Sequence, residues 1–244
     1  MRKLKLTVAY EGTRFHGWQC QGELRTVQGE LERALKAVTG RAGAVLGAGR
    51  TDAGVHAQGQ AAHFVTSSQL PAQRLQAALN ANLPDDVTVT VLEEVASDFH
   101  ARKSARLKVY EYRIYTGPTR PVMERAFVYY IRSAPSVARM KKAAAFLVGR
   151  HDFRAFADAQ ARVAHHVRTV RCVAVRRRAK EIVITVSGEG FLWKMVRSIA
   201  GTLVEVGRGK MEPEEVAELL RSGRRDRAGP TLPARGLTLL RVEY

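Results

Sequence analysis

An acid and a base two residues apart, inside a turn crowded with glycine, concentrate more potential chemistry than any other stretch of this sequence. Residues 47 to 56 read Gly47-Ala48-Gly49-Arg50-Thr51-Asp52-Ala53-Gly54-Val55-His56. Gly47, Gly49 and Gly54 permit backbone angles and close approaches that other residues resist, so the turn can present Arg50 and Asp52 to a ligand at short range. The small Ala48 and Ala53 leave room for that ligand. An aspartate beside glycine more often closes a β-turn by bonding its own backbone, and the turn by itself leaves that reading open.

Other familiar chemistries are excluded. The chain has no Gly-x-Ser-x-Gly elbow and no His-x-Glu with Pro-Cys-x-x-Cys. Gly207-Arg208-Gly209-Lys210 lacks the leading Gly and the following Ser or Thr of a phosphate loop. His151-Asp152 and His165-His166 have no further ligands at a metal-binding spacing, so no metal is expected. Cys20 and Cys172 are isolated thiols, which argues against a disulfide scaffold or zinc knuckle and fits a cytoplasmic protein. No apolar run approaches a signal or membrane segment, and no membrane association is expected.

The whole chain bounds the partner. Forty Lys and Arg against 23 Asp and Glu give a formal charge of +17, while 45% hydrophobic residues are ordinary for a folded protein. A charge excess of that size repels itself unless a polyanion offsets it, which makes nucleic acid the leading partner. Arg168, Arg171, Arg176, Arg177, Arg178 and Lys180, with Arg221, Arg224, Arg225 and Arg227, are candidate phosphate contacts.

The elements that must position these residues follow from periodicity. Leu4, Leu6, Val8 and Tyr10 alternate with polar residues as in a half-buried strand. Val27, Leu31, Ala34, Leu35 and Val38 recur at helical spacing between an N-cap, Thr26, and a stop, Gly40. The glycine turn lies between Val45-Leu46 and the apolar run Ala61 to Val65, which places Asp52 at a sheet edge or end. Residues 71–83 read as a helix and 87–95 as a strand; 107–115 and 125–131 as strands, 137–148 as a helix, and 167–175 with 181–187 as a hairpin. Helices are expected over 191–206 and 214–221, and a closing strand over 237–244. Adjacent strand runs favour an α+β fold with a largely antiparallel sheet. A short echo between Val8–Trp18 and Val186–Trp193 suggests two related α/β halves, 1–105 with the aspartate turn and 106–244 with a basic surface.

Several blocks in order resemble the TruA family of tRNA pseudouridine synthases: Phe15-His16-Gly17-Trp18-Gln19, Thr26 to Glu32, Gly49 to His56, Phe99-His100-Ala101-Arg102, His151-Asp152-Phe153, Gly190-Phe191-Leu192, Met195-Val196-Arg197 and Gly236-Leu237. The resemblance spans nearly the whole chain and displaces the plain β-turn reading of Asp52. It implies a pseudouridine synthase fold with a central basic cleft, and isomerisation of uridine at positions 38, 39 and 40 of the tRNA anticodon stem-loop without metal or organic cofactor. It further implies Asp52 as the catalytic carboxylate, attacking either the sugar or C6 of the uracil ring. Arg197 would pair with Asp52 and favour its ionised form; Tyr110 would stack on the target uracil and, as a catalytic residue, help deprotonate the intermediate, and Arg50 would fill the space that an extruded base vacates. The family also forms a homodimer in which one tRNA touches both subunits. Lys103, Lys108-Val109 and Leu232 depart from the family pattern, which bears on tRNA contacts more than on chemistry.

Overall fold

The computed structural model describes residues 1–160 and 163–244. It divides into two units, Met1–Arg106 with Leu239–Tyr244, and Leu107–Thr238. The last six residues belong with the first unit.

The first unit opens with β1 (Arg2–Tyr10), followed by α1 (Val27–Thr39), β2 (Leu46–Gly47), β3 (His56–Thr66), α2 (Ala72–Ala81) and β4 (Val87–Val95). β1 runs between β3 and β4, antiparallel to both. Its alternation buries Leu4, Leu6, Val8 and Tyr10, with Leu6 opposite Ala62 on one side and Leu92 on the other. Helix α1 starts where its cap dictates, since the Thr26 hydroxyl accepts from Gly29 N–H, and stops where Gly40 turns left-handed at φ 70°. The Asn80 side chain ties α2 to β4, donating to Val89 O at 2.9 Å and accepting from Val89 N–H at 2.8 Å. A smaller apolar cluster of Ala48, Ala61 and Ala101 is covered by Phe99, Val242 and Tyr244.

The second unit holds β5 (Leu107–Tyr115), β6 (Tyr129–Tyr130), α3 (Val137–Phe146), β7 (Gly149–Asp152), β8 (Val167–Arg178), β9 (Glu181–Gly188), α4 (Met195–Gly207) and α5 (Glu215–Ser222). Strand β10 (Leu237–Glu243) begins in this unit and, from Leu239, lies beside β3 in the first. The path β5-β9-β8-β7 is antiparallel throughout, and only the two-residue β6 runs parallel to its neighbour β5. Tyr112 and Ile114 oppose Ile184 and Ile182 across β5 and β9, and all four are fully buried. Both units are therefore α+β with antiparallel strand pairing, as expected.

Three element boundaries differ from expectation. Of residues 125–131 only Tyr129–Tyr130 form a strand, because Phe127 N–H bonds Glu124 O in a turn. The segment 191–194 is not helical: Lys194 adopts φ 60°, which prevents a helix from running through it and delays α4 to Met195. The first hairpin strand extends to Arg178 rather than ending at Val175, and β7 is an additional strand paired with β8.

Candidate active site

In the first unit the aspartate turn is a β-turn in the strict sense. Val55 N–H donates to Asp52 O at 3.1 Å, and Gly54 takes φ 79° at the position where a type II turn requires a positive angle. Asp52 is half-buried and Arg50 is exposed. What distinguishes the turn is how it is held. The segment Phe15–Trp18 grips it from outside: Trp18 N–H donates to Thr51 O at 3.1 Å and Gly54 N–H to Phe15 O at 3.3 Å. The buried Tyr10 hydroxyl lies 2.8 Å from Thr51 Oγ1, and burial pushes the Tyr10 phenol pKa well above its ordinary value, so it stays a neutral donor or acceptor. Gln60, fully buried, donates from Nε2 to Gly49 O at 2.9 Å. His56 is buried too, and its Nδ1 accepts from Gly12 N–H at 2.9 Å, so this ring nitrogen anchors the turn's far end.

Two glycines make this grip possible. Gly17 sits at φ 90°, and a Cβ there would stand 2.5 Å from Thr51 O and 3.2 Å from Ala53 N. A Cβ on Gly47 would lie 2.5 Å from Trp18 Nε1, so only glycine admits the indole at the base of the turn. The residue preceding Asp52 is fixed through both its carbonyl and its hydroxyl, which restricts the direction in which the carboxylate leaves the backbone.

The second unit places Tyr110 and Arg197 on elements that pack together, β5 and α4. Tyr110 is 8% exposed and meets Phe191 edge-on, with ring centroids 5.3 Å apart and an interplanar angle of 86°. Gly188 lets the Phe191 ring fold back, since a Cβ there would stand 3.1 Å from Phe191 Cζ. Arg197, half-buried in the first turn of α4, donates from Nε to Leu232 O at 2.7 Å. One residue on, Pro233 O accepts from the Tyr112 hydroxyl at 2.7 Å, and burial raises the Tyr112 pKa despite the nearby Arg197 charge. Consecutive carbonyls thus hold Arg197 and Tyr112. The loop that carries them is pressed onto α4: Gly229 N–H donates to Thr202 Oγ1 at 3.0 Å, Ser198 Oγ meets Thr231 Oγ1 at 3.0 Å, and a Cβ on Gly201 would collide with Pro230 O at 1.8 Å.

The candidate phosphate contacts separate into groups. Arg176, Arg177, Arg178 and Lys180 are exposed around the β8–β9 turn. Arg171, Arg221 and Arg224 pair with Glu189, Glu218 and Asp226. Arg225 is committed to the loop, donating to Gly229 O and Thr231 Oγ1 at 2.9 Å each. Among the described residues no three His, Cys, Asp or Glu side chains converge as metal ligands. No helix there is long and apolar enough to cross a membrane. Of the departures from the family pattern, Lys103 is exposed, whereas Val109 and Leu232 are buried, and Leu232 meets Arg197 through its backbone carbonyl.

The antiparallel α+β fold is that of a pseudouridine synthase. The family model described as tRNA pseudouridine synthase matches residues 6–102 and 143–244, and the chain belongs to that family. More narrowly, it belongs with tRNA pseudouridine synthase A. It is 46% identical over 243 residues to that protein of Moorella thermoacetica, covering 99% of each chain. It is 45% identical to that of Brevibacillus brevis and 43% to that of Acetivibrio thermocellus, each over 244 residues and all of both chains. It is an isomerase that converts uridine in tRNA to pseudouridine.

Tyr10, Gln60 and Tyr112 escaped sequence reasoning as parts of this machinery. Tyr10 and Tyr112 occupy buried strand positions that pattern alone assigns to the core, and only a polar Gln60 in an apolar strand offered a signal.

Proposed function

We propose that this chain isomerises uridine at positions 38, 39 and 40 of the tRNA anticodon stem-loop, with Asp52 as nucleophile. The observation that carries the reading is the grip on Thr51, by Trp18 N–H on its carbonyl and Tyr10 on its hydroxyl, which holds the backbone next to Asp52 in place. Preorganisation of that kind is what attack on a sugar or a ring carbon needs. Cleavage of the bond from uracil N1 to C1′ leaves the electron pair on the base, and the Asp52 carboxylate bonds to C1′. The rotated base then attacks C1′ through C5, the bond from Asp52 to C1′ breaks and returns the carboxylate, and the C5 proton is lost while N1 gains one, so that the product is an isomer of the substrate. In the alternative route the carboxylate adds to C6 first. Either way uracil accepts and returns its own electrons.

Arg197 serves as counter-ion to Asp52 in this reading. Tyr110 supports the target uracil, its ring held by Phe191. Arg50, exposed on the turn, takes the place of the extruded base. The resemblance further favours a cytoplasmic homodimer in which one tRNA touches both subunits.

Asp52→Asn tests the assignment. Tritium release from tRNA labelled at C5 of uridine should vanish while tRNA binding persists. Retained turnover would overturn the role of Asp52, and complex formation without pseudouridine from the unaltered protein would make the chain a binding module instead.

A further inference from the structure

Arg168 differs from the partly buried arginines that face carboxylates. Arg25 lies against Asp86 and Glu30, Arg113 against Glu181, and Arg139 against Glu212. Arg168 meets no carboxylate among the described residues; its three hydrogen bonds all leave from one terminal nitrogen, NH1. They run to Val167 O at 2.7 Å, His165 O at 3.1 Å and His165 Nδ1 at 3.4 Å. These contacts fix the plane of the guanidinium. They leave the opposite edge, Nε–H with the other terminal NH2, without a hydrogen bond to any described residue, and that edge is the fork that fits two phosphate oxygens.

Its position is as informative as its edge. Arg168 lies in β8 two residues before Val170, which pairs with Gly188, the last residue of β9. Its stem therefore runs past the end of β9, with Cδ 4.0 Å from where a Cβ on Gly190 would stand. The next residue is Phe191, whose ring contacts Tyr110. Arg168 and the aromatic platform occupy the same end of this sheet. A half-buried cation without an anion is costly, and burial alone holds the Arg168 pKa below its ordinary value, whereas Glu181 raises that of Arg113.

We propose that Arg168 is a phosphate-binding residue, whose Nε–NH2 edge holds the RNA backbone beside the nucleotide supported by Tyr110. The proposal rests on the placement of the target uridine against Tyr110, and its test separates the two. Binding is measured in the Asp52→Asn background, where no turnover intervenes, with Arg168→Gln and Arg168→Lys added. The Arg168→Gln change should weaken tRNA binding about tenfold near ~0.1 M salt and flatten the slope of log K against log salt by about one. Arg168→Lys should restore the slope but only part of the affinity, because a point charge lacks the fork. A neutral methylphosphonate linkage flanking the target uridine should weaken binding to the protein with Arg168 and add nothing to Arg168→Gln.

Unchanged affinity and slope in Arg168→Gln would overturn the proposal. So would a methylphosphonate penalty equal in both proteins or, should the glutamine variant fail to fold, insensitivity of the Arg168 protein to each flanking neutral linkage. Absence of pseudouridine from tRNA treated with the unaltered protein would instead overturn the functional reading, whatever the binding slopes.

Discussion

Replacing Gly17 with alanine perturbs the aspartate turn without substituting any residue of it. At φ 90° an alanine is strained by about 1–2 kcal/mol. Its Cβ would also stand 2.5 Å from Thr51 O, backbone that cannot swing aside as a side chain could. Overpacking of that kind costs about 1–3 kcal/mol, so the two effects together predict a destabilisation of roughly 2–5 kcal/mol. For a chain of this size that lowers Tm by roughly 4–20 °C. Relief of the clash has to push Thr51 outward and move Asp52 with it, and a displacement near 1 Å costs about 100-fold in rate. The control is Gly22→Ala: Gly22 also has positive φ, 52°, but its added Cβ meets nothing within 4 Å. It should lose about 1 kcal/mol and no activity. Thermal unfolding and tritium release on both variants separate backbone strain from the clash. If Gly17→Ala matched Gly22→Ala in both measurements, the Phe15–Trp18 segment would not be what positions the aspartate.

Two further outcomes follow from the hydrogen bonds. Tyr112→Phe removes the bond to Pro233 O and should cost about 1–2 kcal/mol in Tm measurements. It should also lower kcat more than it raises KM for tRNA, since the loop that loosens is the one whose neighbouring carbonyl orients Arg197; an unchanged kcat would refute that coupling. Arg25 holds Asp86 through two bonds of 2.7 and 2.8 Å and keeps its carboxyl below the usual range. A depressed folded-state pKa stabilises above the unfolded value of about 3.9 and loses that stabilisation as pH falls through the folded value. Asp86→Asn should therefore cost about 1 kcal/mol at pH 7, the exposure of Arg25 limiting the effect, and the difference from the unaltered protein should shrink below pH ~4 in urea titrations.

The fold was most legible where ends are set locally. Thr26 and Gly40 delimit α1 because one caps a free N–H and the other accepts a left-handed angle, neither of which needs tertiary information. The same reasoning fails at residues 191–194, where Phe191 and Leu192 have helical spacing but use it to pack against Tyr110 and the core, while Lys194 turns left-handed. It fails again near 125–131, whose Val128 and Ile131 are buried from a loop rather than a strand. An apolar run reports burial, and burial does not distinguish these cases. Strand β7, Gly149–Asp152, has two charged residues among four and no alternation to announce it.

The site shows a different division between what sequence contains and what folding adds. A short motif named the carboxylate because glycine and aspartate are chemically distinctive. The parts that aim it are not: Tyr10 and Tyr112 look like core tyrosines, and the contribution of Leu232 and Pro233 is two carbonyl oxygens that any residue possesses. The contact from Arg197 to position 232 is made to a backbone carbonyl, which any residue there would supply. Backbone contacts also locate vulnerability, since the turn tolerates changes at the exposed Arg50 side chain far better, in folding terms, than a single methyl at Gly17 or Gly47. The backbone that carries Asp52 depends on two positions where no side chain fits.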